Sequence, residues 1–168
     1  MSDIRLFEVG GSIRDELMGL ESHDRDFCAV SPNGWKALVS WAEKNMSKVF
    51  LITPKFFTIR GLIGKDPIDI VMCRKDGASS DGRRPDLVEP GTILDDLSRR
   101  DFTVNAIARE VSIETLLPLD KNKFIDPFSG EEDIAKGVIR CVGNTSFRME
   151  EDGLRVLRAL RFIATKDL

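Results

Sequence analysis

Gly10–Phe27, GGSIRDELMGLESHDRDF, combines a pair of glycines with two aspartates that stand two residues apart. The glycines predict a turn that opens a short helix, where bare backbone N–H groups can approach a phosphate. Asp24 and Asp26 are expected on one strand, and because side chains alternate along a strand they project from the same face. Two close carboxylates repel each other unless a cation lies between them, and Mg²⁺ takes oxygen ligands of this kind together with phosphates. The stretch therefore predicts a site for a metal ion and a triphosphate.

Each half of this pattern also has an ordinary structural explanation. A glycine pair before a helix is commonly only a turn, and an isolated Asp-x-Asp is commonly a solvated strand end. Their joint occurrence within one short interval favours the functional interpretation. Arg14, near the start of the predicted helix, is the side chain best suited to bridge two phosphate oxygens. The alternative is a surface ion pair of Arg14 with Asp15 or Glu16.

The composition predicts a soluble, globular chain of one domain, or one domain with the beginning of another. It has 168 residues, of which 42% are hydrophobic and 32% charged. A formal net charge of −3 argues against a broad basic surface for nucleic acid but allows a basic cleft within an acidic shell. Three widely spaced cysteines without a Cys-x-x-Cys indicate neither a zinc site nor a disulfide framework, and they fit a reducing cytoplasm. No signal peptide or membrane-length apolar run is evident, and nothing indicates an oligomeric state.

The hydrophobic pattern predicts alternating strands and helices around this first motif. A strand at Ile4–Val9 leads into the glycine turn, and Gly19 is expected to end the helix that follows. Ser31 is expected to cap the second helix, with Pro32 in its first turn. The turn at Gly64–Pro67 predicts that the strands on either side pair as an antiparallel hairpin. The remaining predicted elements are a helix at Pro32–Met46 and strands at Lys48–Ile52, Phe56–Ile63 and Ile68–Arg74.

A second motif, DDLSRRDFTVNAIA, runs from Asp95 to Ala108. Arg99 and Arg100 supply cationic donors, whereas Asp101 and Asn105 can address a sugar hydroxyl. A carboxylate that accepts from a ribose 2′-hydroxyl would distinguish ribonucleotides from deoxynucleotides. The structural alternative is a surface ion-pair cluster, which contributes little to stability.

A third motif, EDGLRVLRALRF at Glu151–Phe162, predicts a helix that begins near Glu151. Asp152 and Arg155 are three residues apart and hence expected to be neighbours on the helix surface. Cytosine and adenine both present an amine beside a ring-nitrogen acceptor, which a carboxylate and a guanidinium complement, while guanine and uracil do not. An exposed Asp152–Arg155 ion pair is the alternative. The helix is also predicted to bury one face, made of Leu154, Leu157, Leu160 and Ile163.

In their order, GGSIRD…HDRDF, RRDFTVNA and EDGLR resemble the polymerase-beta-like nucleotidyltransferases, in the branch of class II tRNA CCA-adding enzymes and bacterial poly(A) polymerases. The resemblance covers nearly the whole chain. It implies an α+β nucleotidyltransferase fold: a mixed, mostly antiparallel sheet with packed helices, plus the start of a helical neck. It places a catalytic head at residues 1–139 and the start of the neck, with the base-recognition motif, at residues 140–168.

The resemblance also implies roles for individual residues. Asp69, in the apolar strand PIDIVMC, would be the third metal ligand, although a solvent-facing aspartate on a half-exposed sheet is the alternative. Two Mg²⁺ ions would be bound by Asp24, Asp26 and Asp69. The other implied sites are a phosphate site at Gly10, Gly11, Ser12 and Arg14; a ribose and nucleotide site at Arg99, Arg100, Asp101 and Asn105; and base recognition by Asp152, Arg155 and Arg158.

Two further segments resemble family elements. The loop Lys75–Gly91 contains Arg83, Arg84 and Asp86, which resemble the flexible loop of CCA-adding enzymes; its length favours an enzyme that completes the CCA triplet. Residues Phe124–Gly143 resemble a structural hinge between head and neck. In this hinge Ser129 is expected to cap a short helix in a capping box with Glu132, Gly137 to end it, and Val138–Val142 to form a strand.

The function implied is template-independent addition of C and A nucleotides to tRNA 3′ ends from CTP and ATP, with pyrophosphate released and no membrane involved. ATP-specific poly(A)-type tailing of RNA is a close alternative, and a non-catalytic nucleotide- or RNA-binding module is a second. Family members continue into further neck, body and tail domains, whereas this sequence ends at Leu168. The sequence leaves open whether it is a fragment or a minimal enzyme, and how RNA would be held without those domains.

Overall fold

The computed structural model describes residues 3–22, 24–76 and 88–166. Within these residues the strands are β1 (Arg5–Val9), β2 (Asp26–Val30), β3 (Lys48–Thr53), β4 (Thr58–Ile63), β5 (Asp66–Met72), β6 (Arg74–Asp76), β7 (Val88–Pro90) and β8 (Ala108–Val111). The α-helices are α1 (Gly11–Leu17), α2 (Gly34–Asn45), α3 (Ile93–Ser98), α4 (Gly130–Lys136), α5 (Thr145–Glu151) and α6 (Leu154–Lys166). In the described part of the chain, no helix has the length and apolar character needed to cross a membrane.

Six strands form one mixed sheet in the order β3-β4-β5-β2-β1-β8. Strands β2 and β5 are parallel, and every other neighbouring pair in this sheet is antiparallel. The hairpin predicted across Gly64–Pro67 is present as β4 and β5, with Ile63 opposite Asp66. A separate two-stranded sheet pairs β6 with β7. The α+β, mostly antiparallel architecture is the one that the sequence predicts.

The alternation of residues along β1 and β2 gives the sheet two different faces. Leu6, Phe27 and Ala29 point to one face, where they pack against Leu38, Trp41 and Ala42 of α2 in the larger hydrophobic core. Phe7, Val9 and Cys28 point to the other face, where they pack with Leu97 of α3 and the segment before β8. Asp26 belongs to this second face because it neighbours Cys28 at a spacing of two. The carboxylate motif therefore lies on the side of the sheet away from α2.

Several predicted boundaries differ from the observed ones. Helix α2 begins at Gly34 after Asn33, so neither the Ser31 cap nor Pro32 in the first turn is correct. At α4, Ser129 adopts a left-handed conformation and makes no capping bond. The Asp126 carboxylate instead accepts from the N–H groups of Gly130 and Glu131, at 2.8 and 2.9 Å. The predicted capping box with Glu132 is therefore wrong, while Gly137 ends the helix as expected.

The hinge residues 138–142 form no strand of their own. Only an isolated bridge joins Cys141 to Phe102. The segment is held instead by Asp133, whose fully buried carboxylate accepts from the Thr103 hydroxyl at 2.6 Å and from the Arg140 guanidinium at 2.8 Å. This buried aspartate fastens the hinge to the turn that carries Asn105.

The C-terminal helix faces the rest of the protein with a different side from the one predicted. Leu154, Leu157, Leu160 and Ile163 are 45–62% exposed, so their prediction as a buried face is wrong. The side turned inward carries Arg155, Ala159 and Phe162, and Phe162 is buried against Phe102 with ring centroids 5.8 Å apart. The chain also breaks between α5 and α6, so one helix does not run through Glu151–Phe162.

Gly61 provides a direct test of this packing. A Cβ atom at Gly61 would lie 2.2 Å from the carbonyl oxygen of Lys48 on the neighbouring strand, so Gly61→Ala must displace backbone. We expect it to lower the free energy of unfolding by about 1–3 kcal/mol, the range for overpacking a filled site. The measurement is urea unfolding followed by circular dichroism.

Gly153→Ala is the matched control, because, apart from its two chain neighbours, no heavy atom of the described residues lies within 4 Å of its added Cβ. Both substitutions lower the conformational entropy of the unfolded chain to a similar extent. The two variants therefore differ in the contact of the added Cβ atom with Lys48. Equal stability of the two variants would contradict the close approach of β3 and β4.

Candidate active site

A cavity of about 650 Å³ opens between the glycine turn, the segment after α3, and α6. Such a volume suits a small-molecule ligand. Three of the side chains at its wall are aspartates and six are arginines, so it is a basic cleft in a chain of net charge −3. The lining residues are Gly10, Gly11, Arg14, Asp26, Arg99, Arg100, Asp101, Asn105, Asp152, Leu154, Arg155, Arg158, Arg161 and Phe162.

Most of the predicted site residues thus meet at one cavity although they come from three separate motifs. Asp24, Asp69 and Ser12 are predicted site residues that do not line it. The predicted loop residues Arg83, Arg84 and Asp86 lie outside the described part of the chain. Leu154, Arg161 and Phe162 line the cavity without having been assigned to a site from the sequence.

The glycine turn is shaped to bring the backbone close to an arginine. Gly10 has a φ of 80°, a conformation that other residues rarely adopt, and a Cβ atom there would lie 2.7 Å from Nη1 of Arg100. Its N–H donates to the carbonyl oxygen of Ile107 at 3.2 Å. Gly10 is therefore required both by its own backbone conformation and by the guanidinium packed against it.

Ser12 is an exception among the predicted phosphate-binding residues. Successive helix positions are 100° apart, so Gly11 and Arg14 share one side of α1 while Ser12 and Glu16 share another. Ser12 lines a second cavity of about 480 Å³ together with Glu8 and Arg109. The Ser12 side chain therefore faces a different cavity from the one that the other residues form, and a role of Ser12 in phosphate binding stays a prediction.

Arg14 pairs with Asp15, as the structural alternative proposed, but the pair is buried and not on the surface, and Arg14 also lines the cavity. Its Nε and Nη2 donate to Oδ1 of Asp15 at 2.9 and 2.7 Å, and its Nη1 donates to Oδ1 of Asn105 at 2.5 Å. The guanidinium carbon lies 4.9 Å from the ring centroid of Phe162, a cation–π arrangement. Lys166 of α6 donates to the other Asp15 oxygen at 3.1 Å. Helix α6 is thereby attached to the helix that follows the glycine turn.

Arg99 and Arg100 are held by one buried carboxylate, that of Asp96. Oδ1 of Asp96 accepts from Arg99, and Oδ2 accepts from Nη2 of Arg100 at 3.1 Å. Asp96 is fully buried. Burial by itself would raise the pKa of Asp96, but the charges of Arg99 and Arg100 outweigh it and hold that pKa below its ordinary value. The thiol of Cys28 donates to the same carboxylate at 3.2 Å.

Asp96 lies within the second motif, but no role was predicted for it from the sequence. The signal was present, because Asp96 precedes Arg99 and Arg100 by three and four residues, the spacing at which side chains meet on a helix. What the spacing alone does not give is the burial of Asp96 under the sheet.

Asp101 and Asn105 join the two sides of the cavity. Oδ1 of Asp101 accepts from the N–H of Phe102 at 2.9 Å and from the Asn105 side chain at 3.3 Å. Its Oδ2 accepts from Nε of Arg158 on α6 at 2.6 Å. The carboxylate predicted to address a ribose hydroxyl is therefore ion-paired across the cavity in this structure, with Arg158 49% exposed at its side chain.

Asp152 and Arg155 line the same cavity but do not form an ion pair with each other. Asp152 lies in the break between α5 and α6, where its Oδ1 accepts from the N–H of Leu154 at 3.0 Å. Arg155 donates instead to Glu151, at 2.6 Å, and to the carbonyl oxygen of Arg148. The two residues are still neighbours, because the N–H of Arg155 donates to the carbonyl oxygen of Asp152 at 3.0 Å, but the alternative of an exposed Asp152–Arg155 ion pair is wrong.

Arg148 was not recognised from the sequence. Its Nη2 donates to the carbonyl oxygens of Arg99 and Arg100, both at 2.7 Å, and its Nη1 donates to Glu151 at 2.9 Å. Arg148 therefore connects the arginine pair on one side of the cavity to the segment that carries Asp152 and Arg155 on the other.

The three predicted metal ligands are near one another but are not assembled. Asp26 and Asp69 are directly opposite in the parallel pair β2–β5, whereas Asp24 precedes β2. Burial raises the pKa of Asp26; the positive charge of Arg100 opposes this, and the charges of Asp69 and Asp24 reinforce it. Among the described residues, no three acidic, histidine or cysteine side chains come close enough together to hold an ion. The Asp69 carboxylate is instead paired with Arg60, at 2.7 Å from its Nε.

Behind the site, Arg25 and Glu8 keep the carboxylate motif in place. Arg25, between the two aspartates, donates to both oxygens of the buried Glu8, each at 2.9 Å. Glu8 also accepts from Arg109 at 3.0 Å, which in turn pairs with Glu16 of α1. Burial opposes ionisation of Glu8, but its bonds to Arg25 and Arg109 prevail and lower the pKa of this carboxyl. Arg25 and Asp26 therefore point to different faces of the sheet.

Comparison with known proteins identifies the family. Residues 6–140 match the model of the poly A polymerase head domain. A CCA-adding enzyme of Ligilactobacillus salivarius is 37% identical over 155 residues, which are 92% of this chain and 35% of that protein. An A-adding tRNA nucleotidyltransferase of Aquifex aeolicus is 38% identical over 159 residues, 95% of this chain and 18% of the relative. The chain thus spans about a third, or less, of the length of these relatives.

Solved structures agree with this assignment. The CCA-adding enzyme of Bacillus stearothermophilus in complex with CTP matches with a TM-score of 0.74 and 29% identity, over 96% of this chain and 35% of that one. A tRNA nucleotidyltransferase complexed with a primer tRNA and an incoming ATP analogue matches with a TM-score of 0.69 and 34% identity, over 95% and 41% of the two chains. The expected nucleotidyltransferase fold is confirmed. The chain belongs to the poly A polymerase head-domain family, the family of the CCA-adding and A-adding nucleotidyltransferases that it resembles.

Proposed function

We propose that this chain is the catalytic head of a template-independent RNA nucleotidyltransferase that adds C and A nucleotides to tRNA 3′ ends from CTP and ATP. The observation that carries the proposal is the single basic cavity in which residues of the glycine turn, the Arg-Arg-Asp motif and α6 meet. It is supported by relatives named as CCA-adding enzymes, by the structure of a CCA-adding enzyme with CTP, and by that of a tRNA nucleotidyltransferase with a primer tRNA and an ATP analogue.

The nucleotide would lie across the cavity with its triphosphate at the glycine turn. Gly10 and Gly11 leave room for phosphate oxygens beside their backbone, and Arg99 and Arg100 offer fixed positive charge because Asp96 positions them. Asp101 and Asn105, between phosphates and base, would address the ribose hydroxyls. Arg158 would have to release Asp101 for this contact.

The base would be read at the break between α5 and α6. Asp152 has one oxygen, Oδ2, that accepts no hydrogen bond from the described part of the chain, and Arg155 donates through Nη1 only. A carboxylate that accepts from an exocyclic amine, beside a guanidinium that donates to a ring nitrogen, selects cytosine and adenine. Glu151 and Arg148 would orient Arg155 for this contact, and Arg158 would complete the set. Base selection would thus be built from side chains fixed by the protein and not by a nucleic-acid template.

The proposed Mg²⁺ ions would be held by Asp24, Asp26 and Asp69. The donor set fits hard cations, because Asp26 and Asp69 are opposite each other on neighbouring strands and the charges of Asp69 and Asp24 raise the pKa of Asp26. When bound, such ions would lower the pKa of the RNA 3′-hydroxyl and stabilise the departing pyrophosphate. The Arg25–Glu8 pair would fix the position of Asp26 at the start of β2. Arg99 and Arg100 would bind the phosphates.

ATP-specific addition is the second candidate, because the Aquifex relative is named as an A-adding enzyme. Both candidates use the same cavity, and both fit a cytoplasmic protein whose cysteines, Cys28, Cys73 and Cys141, are all free. They differ in whether CTP is a substrate. The proposed boundary between head and neck near residue 139 is common to both.

The function is tested by incubating the chain with Mg²⁺, one radiolabelled nucleoside triphosphate at a time, and tRNA lacking its last one, two or three nucleotides. The proposal predicts CMP addition to the two shorter substrates and AMP addition to the longest. Addition of AMP alone to every substrate would favour the second candidate. Absence of any addition to these tRNA substrates would contradict both.

Replacing the proposed metal ligands should abolish transfer without loss of fold. Asp24→Asn and Asp26→Asn keep the side-chain shape but remove the charge, so we expect kcat to fall by at least about a hundredfold. Asp69→Asn should do likewise. The measurement is single-nucleotide incorporation, with thermal unfolding as a check on the fold.

Asp120→Asn is the control, since Asp120 is exposed and outside the cavity. Retention of more than about a tenth of the wild-type rate by Asp26→Asn would refute the metal assignment, because such ligands affect rates by orders of magnitude. A silent Asp69→Asn would limit the ligand set to Asp24 and Asp26.

Asp152→Ala and Arg155→Ala should relax the choice of nucleotide. A site built to hydrogen-bond one base edge loses discrimination when its polar groups are removed, so the preference for CTP and ATP over UTP and GTP should fall by about tenfold or more. The measurement is misincorporation of UMP and GMP, with each nucleotide supplied alone.

Arg161→Ala, which removes a charge from the same cavity, should slow all four nucleotides and leave their ranking unchanged. If Asp152→Ala and Arg155→Ala behave in that same way, the two residues do not read the base.

A further inference from the structure

A row of four residues crosses the sheet from the carboxylate motif to its free edge. Asp26 on β2 is opposite Asp69 on β5, Asp69 is opposite Arg60 on β4, and Arg60 is opposite Leu51 on β3. Residues directly opposite in neighbouring strands point to the same face. Neighbouring strands are about 4.8 Å apart, so the row extends roughly 14 Å from the proposed metal site to the outer strand.

Arg60 forms hydrogen bonds to the carboxylate of Asp69, which the proposed function assigns to the metal ions. Its Nε donates to Oδ1 of Asp69 at 2.7 Å and its Nη2 donates to Oδ2, so both oxygens are engaged. The side chains of Arg60 and Asp69 are 58% and 38% exposed. A divalent cation at Asp69 would have to share the carboxylate with a positive charge, which costs free energy by Coulomb repulsion. Arg60 and the cation therefore compete for Asp69.

We propose that Arg60 is a positioning residue that exchanges partners during the reaction. It holds Asp69 while the site is empty, and it transfers its two hydrogen bonds to a phosphodiester near the 3′ end of the RNA when the cation takes Asp69. This inference rests on the proposed function and adds to it the side from which the RNA end approaches.

The chemistry of the guanidinium suits this exchange. A carboxylate and a phosphate both present two oxygens that accept a bidentate pair of N–H donors, so Arg60 can satisfy either with the same fork. The attacking 3′-hydroxyl must lie beside the metal-binding carboxylates, and the phosphate one nucleotide before it then falls within about a strand spacing or two of Asp69. Arg60 is the cationic side chain directly next to Asp69 in the row.

The outer strand, β3, carries a lysine and an aromatic side chain that can bind RNA. Lys48 is opposite Leu62, two residues after Arg60 on β4, and therefore shares the Arg60 face. Its Nζ lies 5.5 Å from the ring centroid of Phe50, which is 51% exposed. A lysine next to an exposed aromatic ring is a combination that binds single-stranded nucleic acid through charge and base stacking. The RNA would thus leave the carboxylates across β4 and β3.

A purely structural ion pair is the competing explanation, and the chain contains a matched example. Arg5 and Glu110 also form a bidentate pair, at 2.7 and 2.6 Å, and Arg5 is 57% exposed at its side chain. This pair joins β1 to β8 at the other end of the sheet, and neither residue lines the nucleotide cavity. Arg5→Ala therefore removes an equivalent surface pair without touching the proposed RNA path.

The test compares Arg60→Ala with Arg5→Ala in two binding measurements on the full chain, neither of which involves turnover. Mn²⁺ alone is titrated and its free concentration followed by electron paramagnetic resonance. A short, fluorescently labelled single-stranded RNA is titrated in Mn²⁺-containing buffer over a series of salt concentrations and followed by anisotropy. Thermal unfolding should be nearly unchanged in both variants, because exposed ion pairs contribute little to stability.

Arg60→Ala should bind Mn²⁺ more tightly, on the order of fivefold, because a positive charge next to the carboxylate has been removed. It should bind RNA more weakly, and the slope of log K against log salt should become shallower by about 0.7, the value for one phosphate contact on a single strand. Arg5→Ala should change neither. The opposite signs of the two effects distinguish exchange from structural loss, which would not raise metal affinity.

Unchanged Mn²⁺ affinity in Arg60→Ala would overturn the proposal, and so would an unchanged RNA salt slope, because the exchange requires both. If the chain fails to add nucleotides to tRNA, the proposed function falls while these binding results remain interpretable. The two failures are therefore distinguishable.

Discussion

The buried carboxylate of Asp96 is the constraint on which the nucleotide cavity depends. Burying a charge is costly unless it is paired, and Asp96 is paired with Arg99 and Arg100 and also accepts from Cys28. Each arginine is thereby fixed in one orientation at the cavity wall. Arg100 in turn packs against Gly10, where an added Cβ atom would lie 2.7 Å from Nη1 and would have to displace the guanidinium. One buried carboxylate thus positions both arginines at the cavity wall and the guanidinium that packs against the glycine turn.

The second requirement is that α5 and α6 close the other side of the cavity. Arg148 donates to the backbone of the arginine pair, Arg158 bonds Asp101, and Phe162 packs between Arg14 and Phe102. These contacts use cationic and aromatic side chains rather than the leucines of α6, which remain exposed. One side of the cavity is therefore formed by the glycine turn and the arginine pair. The other side, on α6, is held mainly by ion pairs. Ion pairs of this kind can be exchanged for phosphate contacts when a nucleotide enters.

Much of the fold and the cavity could be predicted because the informative signals are local. The glycine pair, the hairpin between β4 and β5, and the spacing of Arg99, Asp101 and Asn105 each depend on residues close in the sequence. The assembly of these motifs at one cavity was expected from family resemblance, and the structure brings most of the named residues there.

The predictions that differ from the structure share a physical cause. The local sequence allows several side-chain orientations, and tertiary contacts select one of them. The leucine spacing in α6 correctly indicates a helix but cannot tell which face packs against the rest of the protein; in the structure that face carries Phe162 and Arg155. Ser12 follows a glycine pair but is turned away by the helical rotation of about 100° per residue. The break after Glu151 places Asp152 just before α6, and Arg155 pairs with Glu151 of the preceding helix instead of with Asp152. Asp69 stays a predicted metal ligand, and what the sequence did not indicate is its pairing with Arg60 of the adjacent strand.

The most direct test of the central claim is a crystal structure of the chain with Mg²⁺ and a non-hydrolysable CTP analogue. The account predicts the triphosphate beside Gly10 and Gly11 and within hydrogen-bonding distance of Arg99 or Arg100, the ribose at Asp101, and the cytosine edge facing Asp152 and Arg155. A nucleotide bound elsewhere, or one whose base contacts neither Asp152 nor Arg155, would contradict it.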